Sequence, residues 1–213
     1  MIKAILWDND GVLVDTEKLF FAATRHVLST VGFDLTEELF IEFSLIKGNG
    51  LRDYMEQNGY ETSNFEDLRK IRNEKYSVLL EKESRLIPGV KETLASLYGD
   101  YTMGIVTSSK KVHFDIIHQH TDIRHFFDFV LTREDYKNSK PDPEPYLKGL
   151  QKLGISPEEC IVIEDSARGL KAANQADLFC LMIPNELSRP ETYNGDYKLL
   201  KNTAEIISYL KNE

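Results

Sequence analysis

Two aspartates separated by one residue, Asp8 and Asp10, end an apolar run near the start of the chain, in the segment LWDNDGVLVDTE. Carboxylates this close repel one another, and each raises the pKa of the other unless a cation compensates. One carboxylate of such a pair can act as a nucleophile, while the other donates a proton to the leaving group and later activates water. We therefore predict that the pair divides these two roles, with Gly11 permitting the tight turn that follows.

Five further polar residues follow apolar runs later in the chain. Thr107 and Ser108 follow YTMGIV, Lys140 lies in SKPDP, and Glu164 and Asp165 end CIVIED. Four carboxylates gathered in one place need a cation, and hard oxygen ligands select Mg²⁺ or a similar ion. Mg²⁺ also binds phosphate oxygens, so we expect a phosphoryl group as the reacting partner. The two hydroxyls can bind this anion at the start of a helix expected near residue 109, and the lysine neutralises further charge.

Short apolar runs predict the strands that must position these groups. Runs without alternation indicate strands covered on both faces, as in a parallel α/β sheet. The four clear runs cover residues 2–8, 101–109, 160–166 and 178–184, and a weaker one covers 127–132. Helical patterns alternate with them, including one that starts at Asp142 and stops near Gly154. The predicted fold class is a doubly wound parallel sheet, whose ligand site lies at the carboxyl ends of the strands.

One long segment interrupts this alternation. From about residue 16 to residue 86 the sequence has helical periodicity and no strand pattern, which predicts an inserted helical cap domain of residues 16–86 in a core of residues 1–15 and 87–213. The apolar positions of its two stripes are Leu19, Phe20, Ala23, Val27 and Val31, and then Phe65, Leu68, Ile71, Val78 and Leu79.

Charge and composition argue against several classes of protein. The 213 residues carry a net charge of −9, which argues against nonspecific binding to nucleic acid or anionic lipid. No apolar stretch approaches the roughly 18 residues of a membrane span, and no signal peptide is recognisable. Cys160 and Cys180 lie in apolar runs, where buried reduced thiols are expected. We therefore expect a cytoplasmic protein, and nothing demands more than a monomer.

Four segments resemble, in the same order, the motifs of the haloacid dehalogenase-like superfamily. They are DNDGVLVD, VTSS, the lysine of KPDP and IEDSARGLKAA. The similarity extends over essentially the whole chain and concerns the phosphatase and phosphomutase branch with a helical cap after the first strand. It implies that Asp8 is the nucleophile and Asp10 the general acid and base. It also implies that Thr107 and Ser108 contact phosphate and that Lys140 stabilises charge.

The same resemblance implies a metal site. Mg²⁺ would be held by Asp8, the backbone carbonyl of Asp10 and Asp165, with Glu164 either a direct ligand or a residue behind the ligands. Dehalogenation is disfavoured, because that branch lacks the second acid that Asp10 provides.

The cap sequence resembles the beta-phosphoglucomutase-like and sugar-phosphate phosphatase group, through DGVLVDTE followed by LIKGNGLRDYM. In that group a cap loop with Lys, Gly and Arg helps select the substrate, which implies a substrate-binding role for Lys47, Gly48 and Arg52. Mutases carry a histidine in the first cap helix where this chain has Phe20, and the cap-loop arginine sits one residue later here. Both differences favour a Mg²⁺-dependent phosphatase of small phosphorylated metabolites, such as sugar phosphates, that acts through an aspartyl-phosphate.

Four other interpretations are weighed against this one. A phosphosugar mutase of the beta-phosphoglucomutase type remains the main alternative. A receiver-like signalling module or a non-catalytic phosphate-binding protein is disfavoured by motif order and by the filled catalytic positions, and a P-loop enzyme by the lack of GxxxxGK[ST].

Four histidines in HFDIIHQHTDIRH lack the i, i+4 spacing of a helical metal site, so we expect a surface helix there.

Overall fold

Six parallel strands form the sheet in the computed structural model, which describes residues 1–47, 50–188 and 193–212. The strands are β1 (Ala4–Trp7), β2 (Thr102–Val106), β3 (Phe129–Leu131), β4 (Cys160–Glu164), β5 (Phe179–Met182) and β6 (Tyr197–Leu199). Their order across the sheet is β3-β2-β1-β4-β5-β6. The chain therefore crosses from one side of β1 to the other between β3 and β4, which is the strand order of a doubly wound fold. The predicted fold class is confirmed.

The register of the three central strands brings their carboxyl ends to one level. Trp7 pairs with Ile105 of β2 and with Ile163 of β4. The backbone N–H of Asp8 continues the ladder by donating to the carbonyl of Ile163 at 2.9 Å. Polar residues that follow β1, β2 and β4 therefore emerge side by side.

Nine helices are described, and they fall into two groups. Four lie within residues 16–86, after β1: α1 (Glu17–Ser29), α2 (Glu37–Phe40), α3 (Gly50–Gln57) and α4 (Phe65–Glu83), with a π-helical turn at Ile41–Ile46. The others are α5 (Val90–Leu97), α6 (Lys111–His118), α7 (Glu144–Leu153), α8 (Ala167–Gln175) and α9 (Ala204–Leu210). None of the helices described is both long enough and apolar enough to cross a membrane.

Apolar side chains cover both faces of the sheet. One face packs against α5, α6 and α9, through Ile5, Ile105, Leu94, Phe114 and Ile206. The opposite face packs against α7 and α8, through Leu6, Val106, Val162, Tyr146 and Leu170. Burial on both faces explains why the central strands are apolar without alternation.

The helices α1 to α4 enclose an apolar cluster of their own. It is formed mainly by Val27, Leu28, Phe33, Leu35, Phe40, Leu45, Met55 and Leu68. The division into a cap of residues 16–86 and a core of the remaining residues stays a prediction, and this separate cluster supports it.

Several predicted details were wrong. On α4, Ile71 and Val78 are 53% and 45% exposed, whereas Tyr76 and Leu80 are buried. The helix packs most closely on α1, and this neighbour decides which side of α4 is buried. Strand β6 was not predicted, because its three residues at the edge of the sheet are largely exposed and form no apolar run.

Helix starts also lie later than predicted. The helix expected from Asp142 begins at Glu144, whose N–H donates to Asp142 Oδ1 at 2.9 Å. The helix expected near Ser109 begins at Lys111. Before α7 the side chain of Asp142 satisfies the first backbone donor, and before α6 the N–H of Lys111 donates to Glu134 Oε2 at 2.9 Å.

The two cysteines are buried free thiols, as predicted. Cys160 lies in β4 and Cys180 in β5, and they are 1% and 0% exposed. Burial raises the pKa of the Cys160 thiol to about 12 and that of Cys180 well above its ordinary value. Neither thiol is therefore ionised or accessible in the folded protein.

Candidate active site

Lys140 links two carboxylates at the carboxyl edge of the sheet. Its Nζ donates to Asp8 Oδ1 and to Glu164 Oε1, each at 2.8 Å, and to the carbonyl of Val106 at 2.9 Å. The lysine is 2% exposed and Glu164 is 0% exposed. The structure thus brings together one residue from the end of β1, one from the end of β4 and one from the loop before α7.

Burial sets the protonation of this group. Burial raises the pKa of Asp8 to about 7, with repulsion from Glu164 adding to the effect and Lys140 opposing it. Burial disfavours the Lys140 ammonium, but attraction by Asp8 and Glu164 outweighs it and raises the pKa of Lys140 above its ordinary value. The lysine is therefore a permanent cation, while the Asp8 carboxyl exchanges its proton near neutral pH.

Asp10 has a different environment from Asp8, although one residue separates them. Its Oδ1 accepts from Thr16 Oγ1 at 2.6 Å, and its Oδ2 accepts from Ser109 Oγ at 2.7 Å and Thr107 Oγ1 at 3.1 Å. Neutral hydroxyls hold this carboxyl group, whereas an ammonium holds Asp8. The two carboxyl groups are therefore equipped for two different tasks.

The hydroxyls of the segment VTSS are not equivalent. Thr107 Oγ1 donates to Asp10 and accepts from the N–H of Ser109 at 3.0 Å, so this side chain is already engaged. Ser108 Oγ is buried and forms no hydrogen bond with the described residues, and Ser108 lines the cavity above the site. Of the two hydroxyls predicted to contact phosphate, Ser108 is the one with an unused donor.

Three buried carboxyl groups could hold a metal ion. Asp8, Glu164 and Asp165 can each place one oxygen within 4.8 Å of the others. Burial, followed by repulsion from Glu17 and Glu164, raises the pKa of Asp165 well above its ordinary value. A set of hard oxygen donors with uncompensated charge fits Mg²⁺. The carboxyl group of Asp10 is not part of this set, so its implied contribution to metal binding rests on its backbone carbonyl.

Glu164 is more fully engaged than the other two acids. Its Oε1 accepts from Lys140 and from Tyr146 Oη, the latter at 2.9 Å. Its Oε2 accepts from the N–H groups of Asp165 and Ser166 at 3.0 and 3.1 Å. This carboxylate therefore orients the lysine and the turn after β4, and Asp8 and Asp165 have more capacity to bind a cation.

Two residues that the sequence analysis did not select also face this group. Glu17 is 8% exposed, and burial raises its pKa to about 8 although Arg168 opposes the shift. Asn185 Nδ2 donates to Asp165 Oδ2 at 2.9 Å and to Glu17 Oε2 at 3.3 Å. Asn185 closely follows the predicted strand of residues 178–184, and this position at a strand end was the signal that could have identified it.

A cavity of about 990 Å³ opens above the carboxyl groups, between the sheet and the helices that follow β1. Its floor includes Asp8, Asp10 and Asp165. Basic residues are frequent in its walls: Arg52, Arg69, Arg72, Lys110, Arg133, Lys137, Arg168 and Lys171. In a chain with a net charge of −9, this local excess of cations favours an anionic ligand.

The three predicted cap-loop residues have different positions. Arg52 lines the cavity and donates to Glu56 Oε1 at 2.9 Å. Lys47 forms an ion pair with Glu42 at 2.5 Å and lies over the ring of Phe43 at 4.4 Å, and it is not among the residues that line the cavity. Gly48 lies outside the described residues.

The profile of the family described as haloacid dehalogenase-like hydrolase matches residues 5–183, which include all the carboxyl groups at the floor of the cavity. The chain belongs to this family. The resemblance on which the site was predicted is therefore confirmed.

Named relatives agree with this membership. A phosphorylated carbohydrates phosphatase of Thermotoga maritima is 33% identical over 181 residues, which cover 83% of this chain and 82% of the relative. Hexitol phosphatase B of Escherichia coli O157:H7 is 29% identical over 209 residues, with 94% and 90% covered. The crystal structure of CbbY from Rhodobacter sphaeroides in complex with phosphate has a TM-score of 0.83 at 25% identity, with 97% and 96% covered. Family and relatives identify the chain as a phosphatase enzyme.

Phe20, where the mutases carry a histidine, lies in the wall of this enzyme's cavity. Its ring lies 5.1 Å from the ring of Tyr76, and the Arg72 guanidinium lies 4.7 Å from its centre. The side chain therefore offers an apolar surface and no proton-transfer group at this place.

The histidine-rich helix is only partly a surface helix. His113 and His118 of α6 are buried, at 5% and 9% exposure, because the inner face of α6 packs against the sheet and α4. His120 is exposed, as expected. The prediction of a surface helix was wrong for the two histidines that point inward.

Proposed function

We propose that this enzyme is a Mg²⁺-dependent phosphatase of small phosphorylated metabolites, with sugar phosphates as the substrate class, and that it acts through an aspartyl-phosphate on Asp8. The observation that carries the proposal is the contrast between the two neighbouring aspartates. Asp8 is buried against Lys140 at 2.8 Å, whereas hydroxyl groups hold Asp10. The phosphatases of phosphorylated carbohydrates and hexitols among its relatives support the substrate class.

In the first step, Asp8 attacks the phosphorus atom. Lys140 binds Asp8 at Oδ1, which leaves Oδ2 as the attacking oxygen. An O–P bond forms to Asp8 while the ester O–P bond breaks, and Asp10 donates a proton to the leaving oxygen. Ser108 offers a donor to the phosphoryl oxygens, while the Lys140 ammonium, whose three N–H groups are already engaged, offsets negative charge beside Asp8. When bound, Mg²⁺ supplies further charge neutralisation at these oxygens, and Asp8, Asp165 and the Asp10 carbonyl would hold it.

In the second step, Asp10 takes a proton from water and the resulting nucleophile attacks the same phosphorus. The O–P bond to Asp8 breaks, inorganic phosphate leaves, and Asp8 regains its carboxylate. The hydroxyls of Thr16, Thr107 and Ser109 can rotate between donating and accepting, so they can serve Asp10 in both protonation states.

The test compares the purified enzyme with three Asp→Asn variants. We expect Mg²⁺-dependent phosphate release from an aryl phosphate and from a panel of sugar phosphates. Asp8→Asn and Asp10→Asn should each lower kcat/KM by at least about 10³-fold. Asp15→Asn, which changes an exposed aspartate of the same segment, should retain full activity. Undiminished turnover by Asp8→Asn would overturn the nucleophile assignment.

The mutase alternative has its own assay. The enzyme is incubated with beta-glucose 1-phosphate and a bisphosphate primer, and both glucose 6-phosphate and inorganic phosphate are measured. Phe20 supplies no proton-transfer group on the cavity wall, so we expect phosphate release to dominate. Efficient glucose 6-phosphate formation with little phosphate release would favour the mutase.

A further inference from the structure

A row of hydrogen-bonded side chains runs from the end of α6 to Asp10. His118 Nδ1 lies 2.9 Å from Thr121 Oγ1, and His118 Nε2 lies 2.7 Å from Asn9 Oδ1. Asn9 Nδ2 in turn donates to Asp10 Oδ2 at 3.3 Å. The family motifs give no role to Asn9 or to His118, and the two residues are 109 positions apart in the sequence.

We propose that His118 and Asn9 are positioning residues for the acid and base of this phosphatase. His118 fixes the orientation of the Asn9 amide, and the amide N–H then holds the Asp10 carboxyl group in place for proton transfer. The inference rests on the proposed role of Asp10.

The direction of each hydrogen bond supports this assignment. An amide has an acceptor at one end and donors at the other, so turning Asn9 over would place its oxygen against a carboxylate oxygen of Asp10. A His118 Nε2–H that donates to Asn9 Oδ1 prevents this inversion. His118 Nδ1 is then free to accept from the Thr121 hydroxyl. The row is consistent throughout with one tautomer of a neutral imidazole.

Burial keeps the row in this state. Asn9 is 0% exposed and His118 is 9% exposed, so water offers the amide little alternative. Burial lowers the pKa of His118 to about 4, with Asp10 and Asp115 opposing the shift and Arg124 adding to it. The imidazole is therefore neutral at neutral pH and keeps one nitrogen as an acceptor.

The side chain of Asn9 is not needed to form its own turn. The backbone carbonyl of Asn9 already accepts from the N–H groups of Val12, Leu13 and Val14, at 3.3, 2.8 and 3.1 Å. The amide is therefore available to hold Asp10. It is also the one fixed donor described on this carboxyl group, because the other three are rotatable hydroxyls.

The test uses two substitutions of the same histidine. His118→Phe keeps a ring but removes the hydrogen bond, whereas His118→Gln keeps an amide N–H that can donate to Asn9. A loosened Asp10 impairs leaving-group protonation, which a sugar phosphate needs more than an aryl phosphate does. We expect His118→Phe to lower kcat/KM about 10-fold for the sugar phosphate, and less for the aryl phosphate, with little change in KM. His118→Gln should recover most of the loss, and His120→Phe, an exposed control, should lose nothing.

A merely structural role would give a different pattern. Equal losses for both substrates in His118→Phe, or no loss at all, would overturn the proposal. The same two substrates are compared with the Asn9→Leu variant, which tests the proposal if His118→Phe does not fold. The double variant should lose no more kcat/KM than Asn9→Leu alone, because both substitutions break the same chain of hydrogen bonds. Losses that multiply would show that His118 and Asn9 act independently and would contradict the proposal.

The outcome for the proposed function is read separately. An inactive wild-type enzyme, or an active Asp10→Asn variant, would refute the proposed function itself. A wild-type enzyme that depends on Asp10 but is indifferent to His118→Phe would refute only the positioning role.

Discussion

Replacing Lys140 by methionine removes the buried cation of the site while nearly preserving the shape of the side chain. Lys140 bonds at 2.8 Å to both Asp8 and Glu164, and its side chain is only 2% exposed. Removing one partner of a buried ion pair leaves uncompensated charge and costs about 3–5 kcal/mol. For a chain of this length, that loss lowers Tm by roughly 10 °C.

The penalty must depend on pH, and its sign follows from the pKa of Glu164. In the wild type the pKa of Glu164 is lowered: burial alone would raise it, but Lys140 outweighs burial. A lowered folded-state pKa contributes stability above the unfolded-state value, and this contribution is lost as pH falls through the folded-state pKa. Without Lys140, burial raises the same pKa, and the variant loses stability as pH rises. The difference in the free energy of unfolding between wild type and variant therefore widens from pH 5 to pH 8. It grows by up to about 1.4 kcal/mol per pH unit for each proton that the folded variant retains and the unfolded chain has lost.

The measurement is urea unfolding of both proteins at pH 5 and pH 8, in the presence of a chelator so that metal binding does not contribute. Lys148→Met is the matched control, because Lys148 is 39% exposed and pairs with Glu144 at 3.2 Å on the surface of α7. That pair contributes at most about 1 kcal/mol. A loss below about 1 kcal/mol for Lys140→Met at pH 8, or equal losses at the two pH values, would refute the reasoning.

Two further predictions concern the turn after β1 and the metal site. Gly11→Ala should destabilise the enzyme and abolish activity, because Gly11 has φ +79° and an added Cβ would overlap Asp165 Oδ2. Gly59→Ala is the control: it has φ +78° and nothing within 4 Å of the added Cβ, so it introduces the backbone strain without the overlap and should lower stability by only about 1 kcal/mol. Equal losses of stability in the two variants would count against the overlap. Mg²⁺ at 100 times its Kd should stabilise the wild type by about 2.7 kcal/mol at pH 8, and less at pH 5, where Asp8, with a pKa of about 7, holds its proton. This stabilisation, measured as the rise in Tm on adding Mg²⁺, should disappear in Asp165→Asn. A rise in Tm that persists in this variant would exclude the proposed ligands.

Much of the central sheet could be predicted because burial on both faces leaves an unmistakable apolar run. The five predicted runs all contain strands, whose carboxyl ends lie one to three residues earlier than expected, where the chain turns to present polar groups. Strand β6 has no such pattern, since two of its three residues are exposed and its neighbour β5 supplies the pairing. Pairing at an edge depends on a partner that is distant in sequence.

The carboxyl groups and hydroxyls that were predicted follow strand ends, and so does the missed Asn185, whereas the missed Glu17 and Tyr146 reach the site from helices. Lys140 was found through its motif, but Tyr146, which donates to Glu164, lies within α7 and has no local signature. His118 was assigned to the surface because its spacing shows no metal pair. Only the packing of α6 places it against Asn9.

The two buried thiols give the enzyme an internal reporter of sheet opening. Cys160 and Cys180 lie in neighbouring strands, and a thiol-alkylating reagent can reach them only in molecules whose sheet has come apart. Their labelling rate at increasing reagent concentration therefore gives the free energy and rate of that opening. Residues 16–86 contain no cysteine, so movements of the helices after β1 leave the label count unchanged. Opening of the sheet can thus be timed in the unmodified chain without a contribution from motion over the cavity.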